Sequence, residues 1–106
     1  MKYNKLVRDK IPDIIRASGK IPVTRILDDK EYLEQLERKL DEEVAEFHES
    51  KSLEELADIW EVVLALSSAY GWSDDKLSNT FCKKSVARGD FSGKVFLIEV
   101  QEEENE

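Results

Sequence analysis

The chain is poor in the residues from which most catalytic and cofactor motifs are built. It has one cysteine, Cys82, in 106 residues. No internal disulfide can form, and a reducing compartment suits the chain. No histidine or second cysteine stands near Cys82, which reads as a small buried or half-buried side chain. The single histidine, His48, has Ala45 three positions before it. The paired Glu-x-x-His motifs of a di-iron carboxylate bundle are therefore absent, and a nucleophilic triad has no histidine context. His48 reads as a helix-surface residue near a turn. The four glycines are isolated, so there is no phosphate-cradling loop, dinucleotide fingerprint or nucleophile elbow. No apolar run approaches the roughly 18 residues of a membrane span. The opening residues carry no signal-type apolar core, and the expectation is a cytoplasmic protein without a membrane partner. Lys and Arg number 16 against 24 Asp and Glu, for a net charge of −8. That balance argues against a nucleic-acid polymer as partner, which needs a basic face. It leaves room for a phosphorylated small molecule, because a bound metal inverts the local field.

What is present is a globular balance, 41% hydrophobic with 38% charged, in a length that suits one domain. Residues 1–100 are expected to form it, with 101–106 a disordered acidic tail. The opening, Met1 to Lys10, is polar and basic. Ile11, Ile14 and Ile15 at helical spacing predict a short helix over Arg8 to Ser18, stopped by Gly19. Ile21 to Leu27 is β-rich and predicts an edge strand, since Pro22 is tolerated at a strand start. Asp28 and Glu31, at capping-box spacing, open a long helix over Asp28 to Ser50, with Leu33, Leu36, Leu40, Val44 and Phe47 as its apolar stripe. Ser52 and Glu55 repeat the spacing and open a second helix that runs to about Tyr70, where Gly71 caps it. Its main stripe is Leu53, Leu56, Trp60, Val63 and Leu64. Val62, Ala65, Leu66 and Ala69 make the opposite side apolar too, which predicts a second subunit over that face. Ser73 caps a third long helix that ends near Arg88 and Gly89. Lys94 to Val100 predicts a second strand, a partner for the first. The expected fold is mainly α: a helical hairpin with flanking helices, four-helix-bundle-like, plus a small two-stranded β element, in a homo-oligomer.

The stretch Lys39 to Glu61 holds two acidic motifs, Glu43-x-x-Glu46 and Glu55-x-x-Asp58, either side of a polar break at Ser50-Lys51-Ser52. If the break is the turn of an antiparallel hairpin, residues at equal height have numbers with a constant total. Glu46 with Glu55 and Glu43 with Asp58 give the same total, so the motifs face each other rung by rung. Each pair is spaced i, i+3 and shares a helix face. Four carboxylates converging across the ~8–10 Å between packed helix axes repel one another unless a cation joins them. An all-oxygen set selects a hard ion, Mg²⁺, Mn²⁺ or Ca²⁺. Asp58, followed on its side by Val62, Ala65 and Ala69, is the most deeply placed and most in need of a partner. Against this stands a plain solvated acidic face, with Glu55 only the capping-box partner of Ser52. Glu42, Glu49 and Glu54 read as surface acids. Glu61 continues the spacing, as an extra ligand or as a group behind the ligands.

Lys84 and Arg88 lie i, i+4 on the third long helix. With a metal nearby they equip a site for phosphate chemistry; alternatively they neutralise a helix C-terminus. Trp60, Trp72, Tyr70 and Phe47 offer surfaces on which a base can stack, or core.

Three segments in this order resemble a known family. Tyr3-Asn4-Lys5-Leu6-Val7-Arg8-Asp9-Lys10-Ile11-Pro12 resembles the start of small phosphoribosyl-ATP pyrophosphohydrolase-like proteins of the all-α NTP pyrophosphohydrolase superfamily, with MazG as a relative. Lys39 to Glu46 resembles the family's E-E-x-x-E motif, and Glu55-Leu56-Ala57-Asp58 its E-x-x-D motif. Lys84 to Phe91 and Val95 to Leu97 resemble its closing segment. The resemblance implies Mg²⁺-dependent cleavage of nucleoside triphosphates between the α and β phosphates, giving a monophosphate and pyrophosphate, in a house-cleaning role. It implies that Glu43, Glu46, Glu55 and Asp58 hold Mg²⁺ (or Mn²⁺) and carry catalysis, that Lys84 and Arg88 hold phosphates, and that the protein is a dimer or tetramer. Arg8 and Lys10 match the family opening without a chemical role. Two other readings stay open: a metal- or nucleotide-binding module without turnover, and a structural helical interaction protein.

Overall fold

In the computed structural model, residues 3–103 are described. Among them the chain is mainly helical, with four helices: α1 (Ile11–Ala17), α2 (Asp29–Ser50), α3 (Leu53–Ala69) and α4 (Asp74–Arg88). The chain packs as two units, Met1–Asp74 and Asp75–Glu106. Lys2 of the basic opening, and residues 104–106 of the expected tail, lie outside the described residues; 101–103 are exposed and without regular structure.

In the first unit, residues 3–10 run without helix and α1 starts only at Ile11, with a proline in its first turn. The expected start at Arg8 is thus three residues early. A proline fits the first turn, where its missing N–H costs nothing. Gly19 at φ 87 ends the helix, as expected. Asp28 caps α2, its carboxylate accepting from the Glu31 N–H at 2.8 Å. The Glu31 side chain does not close the capping box; it takes both ends of the Arg25 guanidinium, at 2.7 and 3.2 Å. That bond holds the Glu31 carboxyl below its ordinary value.

The bend between α2 and α3 has two residues. Lys51 adopts the left-handed region, φ 54, and donates its N–H to the Phe47 carbonyl at 2.8 Å. Ser52 is extended and caps α3 by accepting from the Glu55 N–H at 3.3 Å. So short a turn returns α3 antiparallel along α2, and the two helices pack against each other. At the far end Tyr70 donates its hydroxyl to Glu37 at 2.7 Å and stacks on Trp72. Gly71, φ 90, closes α3 by donating to the Ser68 carbonyl.

The core of this hairpin is small. Leu36 on α2 (3% exposed) and Val62 on α3 (7%) are its buried apolar residues, and Glu43 and Ser67 are buried with them. On α2 most of the expected stripe forms, with Leu33, Leu40 and Phe47 half-buried beside Leu36, while Val44 is exposed. On α3 the expected main stripe forms only in part: Val63 and Leu64 are half-buried, but the buried apolar residue, Val62, comes from the opposite side. Leu53 is 81% exposed and Trp60 58%, with Leu56 also exposed. The face that meets α2 runs through Glu55, Asp58, Ile59, Val62 and Leu66. Both stripes are apolar, so hydrophobicity does not choose between them. With only Lys51 and Ser52 in the bend, the rotation of α3 about its axis is set by the turn.

In the second unit α4 has no buried residue. Gly89, φ 82, follows it and donates to the Ser85 carbonyl. Cys82 on α4 is exposed, not buried or half-buried as expected, because α4 buries no face in its unit.

No strand forms among the described residues, so the expected two-stranded element over Ile21 to Leu27 and Lys94 to Val100 is absent from this chain. Ile21, Val23 and Ile26 are exposed, as are Val95, Phe96, Leu97, Ile98 and Val100. The two segments belong to different units. An extended segment becomes a strand only where another pairs with its N–H and C=O groups, and a lone pair of strands is marginal even then.

Candidate metal centre

The hairpin brings Glu43 of α2 and Glu55 and Asp58 of α3 together. One oxygen from each lies within 4.8 Å of the others. The local reason is the pair of caps. Ser52 seats the first turn of α3 so that Glu55 and Asp58, three apart, share the face turned to α2. The Ser52 N–H that a capping-box glutamate normally takes is donated to Ser50 Oγ at 3.3 Å. That leaves the Glu55 carboxylate free for the cluster, which removes the capping-box reading of its side chain.

The protein itself only partly neutralises these acids. Lys39, one turn before Glu43, reaches Glu43 Oε1 at 3.3 Å and Glu42 Oε1 at 3.6 Å. Arg8, from the irregular opening, donates from Nη2 to Asp58 Oδ1 at 2.6 Å, and its Nη1 stands 4.0 Å from Glu61 Oε2. Lys5 stands 3.5 Å from Glu42. The second oxygens of Glu43 and Glu55 are buried with no protein hydrogen-bond partner, although the Glu43 side chain is only 7% exposed. A buried carboxylate oxygen without a donor forfeits its hydration with no return. The cost shows in Glu55, whose carboxyl is pushed up to about 7. Burial is the main cause, followed by hydrogen bonding with the Glu43 carboxyl and the negative charges of Glu46, Glu43 and Asp58.

The donor set fits a hard divalent ion. Oxygens at ~2.1 Å from Mg²⁺ lie at most ~4.2 Å apart, and those at ~2.4 Å from Ca²⁺ at most ~4.8 Å. The three oxygens, all within 4.8 Å of one another, lie close enough together for one such ion to be held between them. A bound cation would give the unpartnered oxygens of Glu43 and Glu55 the partner that the protein does not supply.

The other expected site residues are placed as follows. Glu46 is exposed and outside the three-oxygen cluster, yet its charge is felt at Glu55. Trp60 is two residues past Asp58, about 160° around the helix from it, so its ring is not brought to the acids. Lys84 and Arg88 are exposed on α4, one turn apart, in the second unit. His48 is exposed in the last turn of α2, as expected. Sequence reasoning missed the roles of two cations. Lys39 had a signal, its i, i+4 spacing to Glu43. Arg8 had none, because nothing in an irregular segment says which helix it crosses.

No family model matches the chain, and no solved structure matches it. A protein of Mycolicibacterium smegmatis (strain ATCC 700084 / mc(2)155), described as uncharacterized, is 64% identical to this chain over 42 residues, 40% of this chain and 43% of that protein. The match therefore spans less than half the length of that relative. No helix among the described residues is long and apolar enough to cross a membrane.

Proposed function

We propose that Glu43, Glu55 and Asp58, joined by Glu46, hold a divalent cation, Mg²⁺ or Mn²⁺, and that the protein hydrolyses nucleoside triphosphates or a related nucleotide to the monophosphate and pyrophosphate. The observation that carries the reading is the pair of buried, unpartnered carboxylate oxygens on Glu43 and Glu55, beside the Asp58 carboxylate. A solvated acidic face would leave those oxygens to water. The resemblance of three sequence segments to nucleotide pyrophosphohydrolases supplies the reaction.

Bound there, the cation would supply Lewis-acid polarisation of the phosphate oxygens. The chain's own residues do the rest. A water oxygen attacks the α-phosphorus, the bond from that phosphorus to the bridging oxygen breaks, and pyrophosphate leaves with the bridging electrons. One of the site's carboxylates takes the water's proton, and Glu46, exposed and outside the three-oxygen cluster, is the least committed of them. The resemblance assigns the phosphates to Lys84 and Arg88, which are exposed on α4. In this reading a second copy of the chain covers the exposed Leu53, Leu56 and Trp60 face of α3, giving a dimer or tetramer. Two buried apolar side chains among the described residues are little core for a chain that is 41% hydrophobic.

The test is a panel of nucleotides with Mg²⁺, read for pyrophosphate together with a monophosphate. Cleavage supports the reading. A rise in melting temperature with Mg²⁺ but no cleavage of any nucleotide replaces it with a metal- or nucleotide-binding module. No effect of Mg²⁺ on stability or activity removes the metal site.

A further inference from the structure

Among the described residues of the irregular opening, Arg8 reaches the acidic cluster with one end of its guanidinium and faces Glu61, beside the cluster, with the other. Nη2 is on Asp58 Oδ1 at 2.6 Å, and Nη1 faces Glu61 Oε2 at 4.0 Å. Asp58 and Glu61 are spaced i, i+3 on α3, so the planar fork spans two neighbouring seats on one helix face. Only Asp58 belongs to the cluster whose oxygens converge; Glu61 does not. The guanidinium is therefore the cation that balances Asp58 when no other is there. An arriving divalent ion repels it and competes for the same carboxylate.

We propose that Arg8 is an internal competitor for the divalent cation at Asp58, and that Glu61 is the seat to which its guanidinium moves when the ion arrives, not a metal ligand. This rests on the metal-binding reading above. It turns the opening segment into a counterweight. The ion must displace an arginine to bind, and the displaced arginine stays beside the site on Glu61, where its charge is available to an anionic substrate.

The test is Mn²⁺ binding by calorimetry on the full chain, for the native protein, Arg8→Gln, Arg8→Lys, Glu61→Gln and the Arg8→Gln, Glu61→Gln double variant. Competition by a half-exposed ion pair predicts that Arg8→Gln tightens Mn²⁺ binding by roughly two- to fivefold. Arg8→Lys, which keeps the charge but loses the two-ended fork, falls between it and the native protein. Glu61→Gln weakens binding in the native background, because Arg8 then has nowhere to go, and this loss largely disappears in the double variant. The Arg8 side-chain N–H resonances shift on addition of Mg²⁺. Unchanged or weaker Mn²⁺ binding in Arg8→Gln overturns the proposal and makes Arg8 a group that orients Asp58. An equal loss from Glu61→Gln in both backgrounds overturns it by making Glu61 a ligand. If no variant and no native protein binds Mn²⁺, the metal site itself falls and the proposal with it.

Discussion

In residues 1–74 the apolar side chains of α2 and α3 find one another across a two-residue bend, and Leu36 and Val62 are buried as a result. In the second unit α4 has no fully buried residue, and Phe81, Val86, Phe91, Val95, Phe96, Leu97, Ile98 and Val100 are exposed. The second unit is not short of hydrophobic residues. Among its described residues there is no second helix or strand to bury them against, and a helix of that length is marginal in water without packing. Packing in this chain follows from how soon a helix meets a partner, and composition alone does not provide it. The carboxylate cluster sits in the unit where that condition is met, on rigid elements that hold its geometry.

The largest effect expected from breaking the first unit is chemical. If the proposed hydrolysis is the activity, Asp58→Asn lowers it by on the order of a hundredfold or more, while circular dichroism keeps the native helical signal. Turnover near the native rate would remove Asp58 from the site. Next comes Leu36→Ala, which costs about 2–4 kcal/mol in urea unfolding through the cavity it leaves. Phe96→Ala, by contrast, stays within about 0.5 kcal/mol in dilute protein because its side chain touches little. If Phe96→Ala proves as costly as Leu36→Ala, the contrast between the units fails, and a partner copy covers the second one.

A third expectation concerns pH. The Glu55 carboxyl is raised to about 7 in the folded chain, mainly by burial. Between the ordinary glutamate value and about pH 7 the folded chain holds a proton that the unfolded chain has released. The stability of the metal-free protein therefore falls as pH rises through that window and levels above it. Melting temperatures across the window check the sign. A cation must displace the same proton, so Mn²⁺ affinity rises by up to about tenfold per pH unit below ~7 and then flattens. The smallest effect is Ser52→Ala, a lost helix cap worth about 1 kcal/mol by denaturant titration. It also loosens the turn that orients Glu55, so Mn²⁺ binding weakens along with stability.

The sequence showed the helices and the acids for local reasons. Asp28 and Ser52 mark helix starts by the chemistry of a side-chain oxygen over a bare N–H, and both act as caps. The pairing of Glu43 with Asp58 followed from treating Ser50 to Ser52 as a bend. Which face of α3 turns inward was not legible. Leu53, Leu56 and Trp60 compete on equal terms with Ile59, Val62 and Leu66, and the backbone angles at Lys51 decide between them. The two extended segments look like strands by composition, but pairing is a property of two segments at once. Arg8 was invisible for a similar reason. Its partner, Asp58, is 50 residues away, and no periodic pattern connects an irregular stretch to one side of a helix.

The bend at Lys51 and Ser52 has a consequence for how this chain can change. With α2 ending at Ser50 and α3 beginning at Leu53, there is no slack between the two halves of the acidic cluster. Inserting or deleting one residue there would turn α3 by about 100° and slide it by ~1.5 Å, carrying Glu55 and Asp58 off Glu43 while leaving both helices intact. Substitutions along the hairpin alter the site by degrees. A change of length at the bend takes it apart in one step, and the spacing between the two motifs is therefore as much a part of the site as the acids themselves.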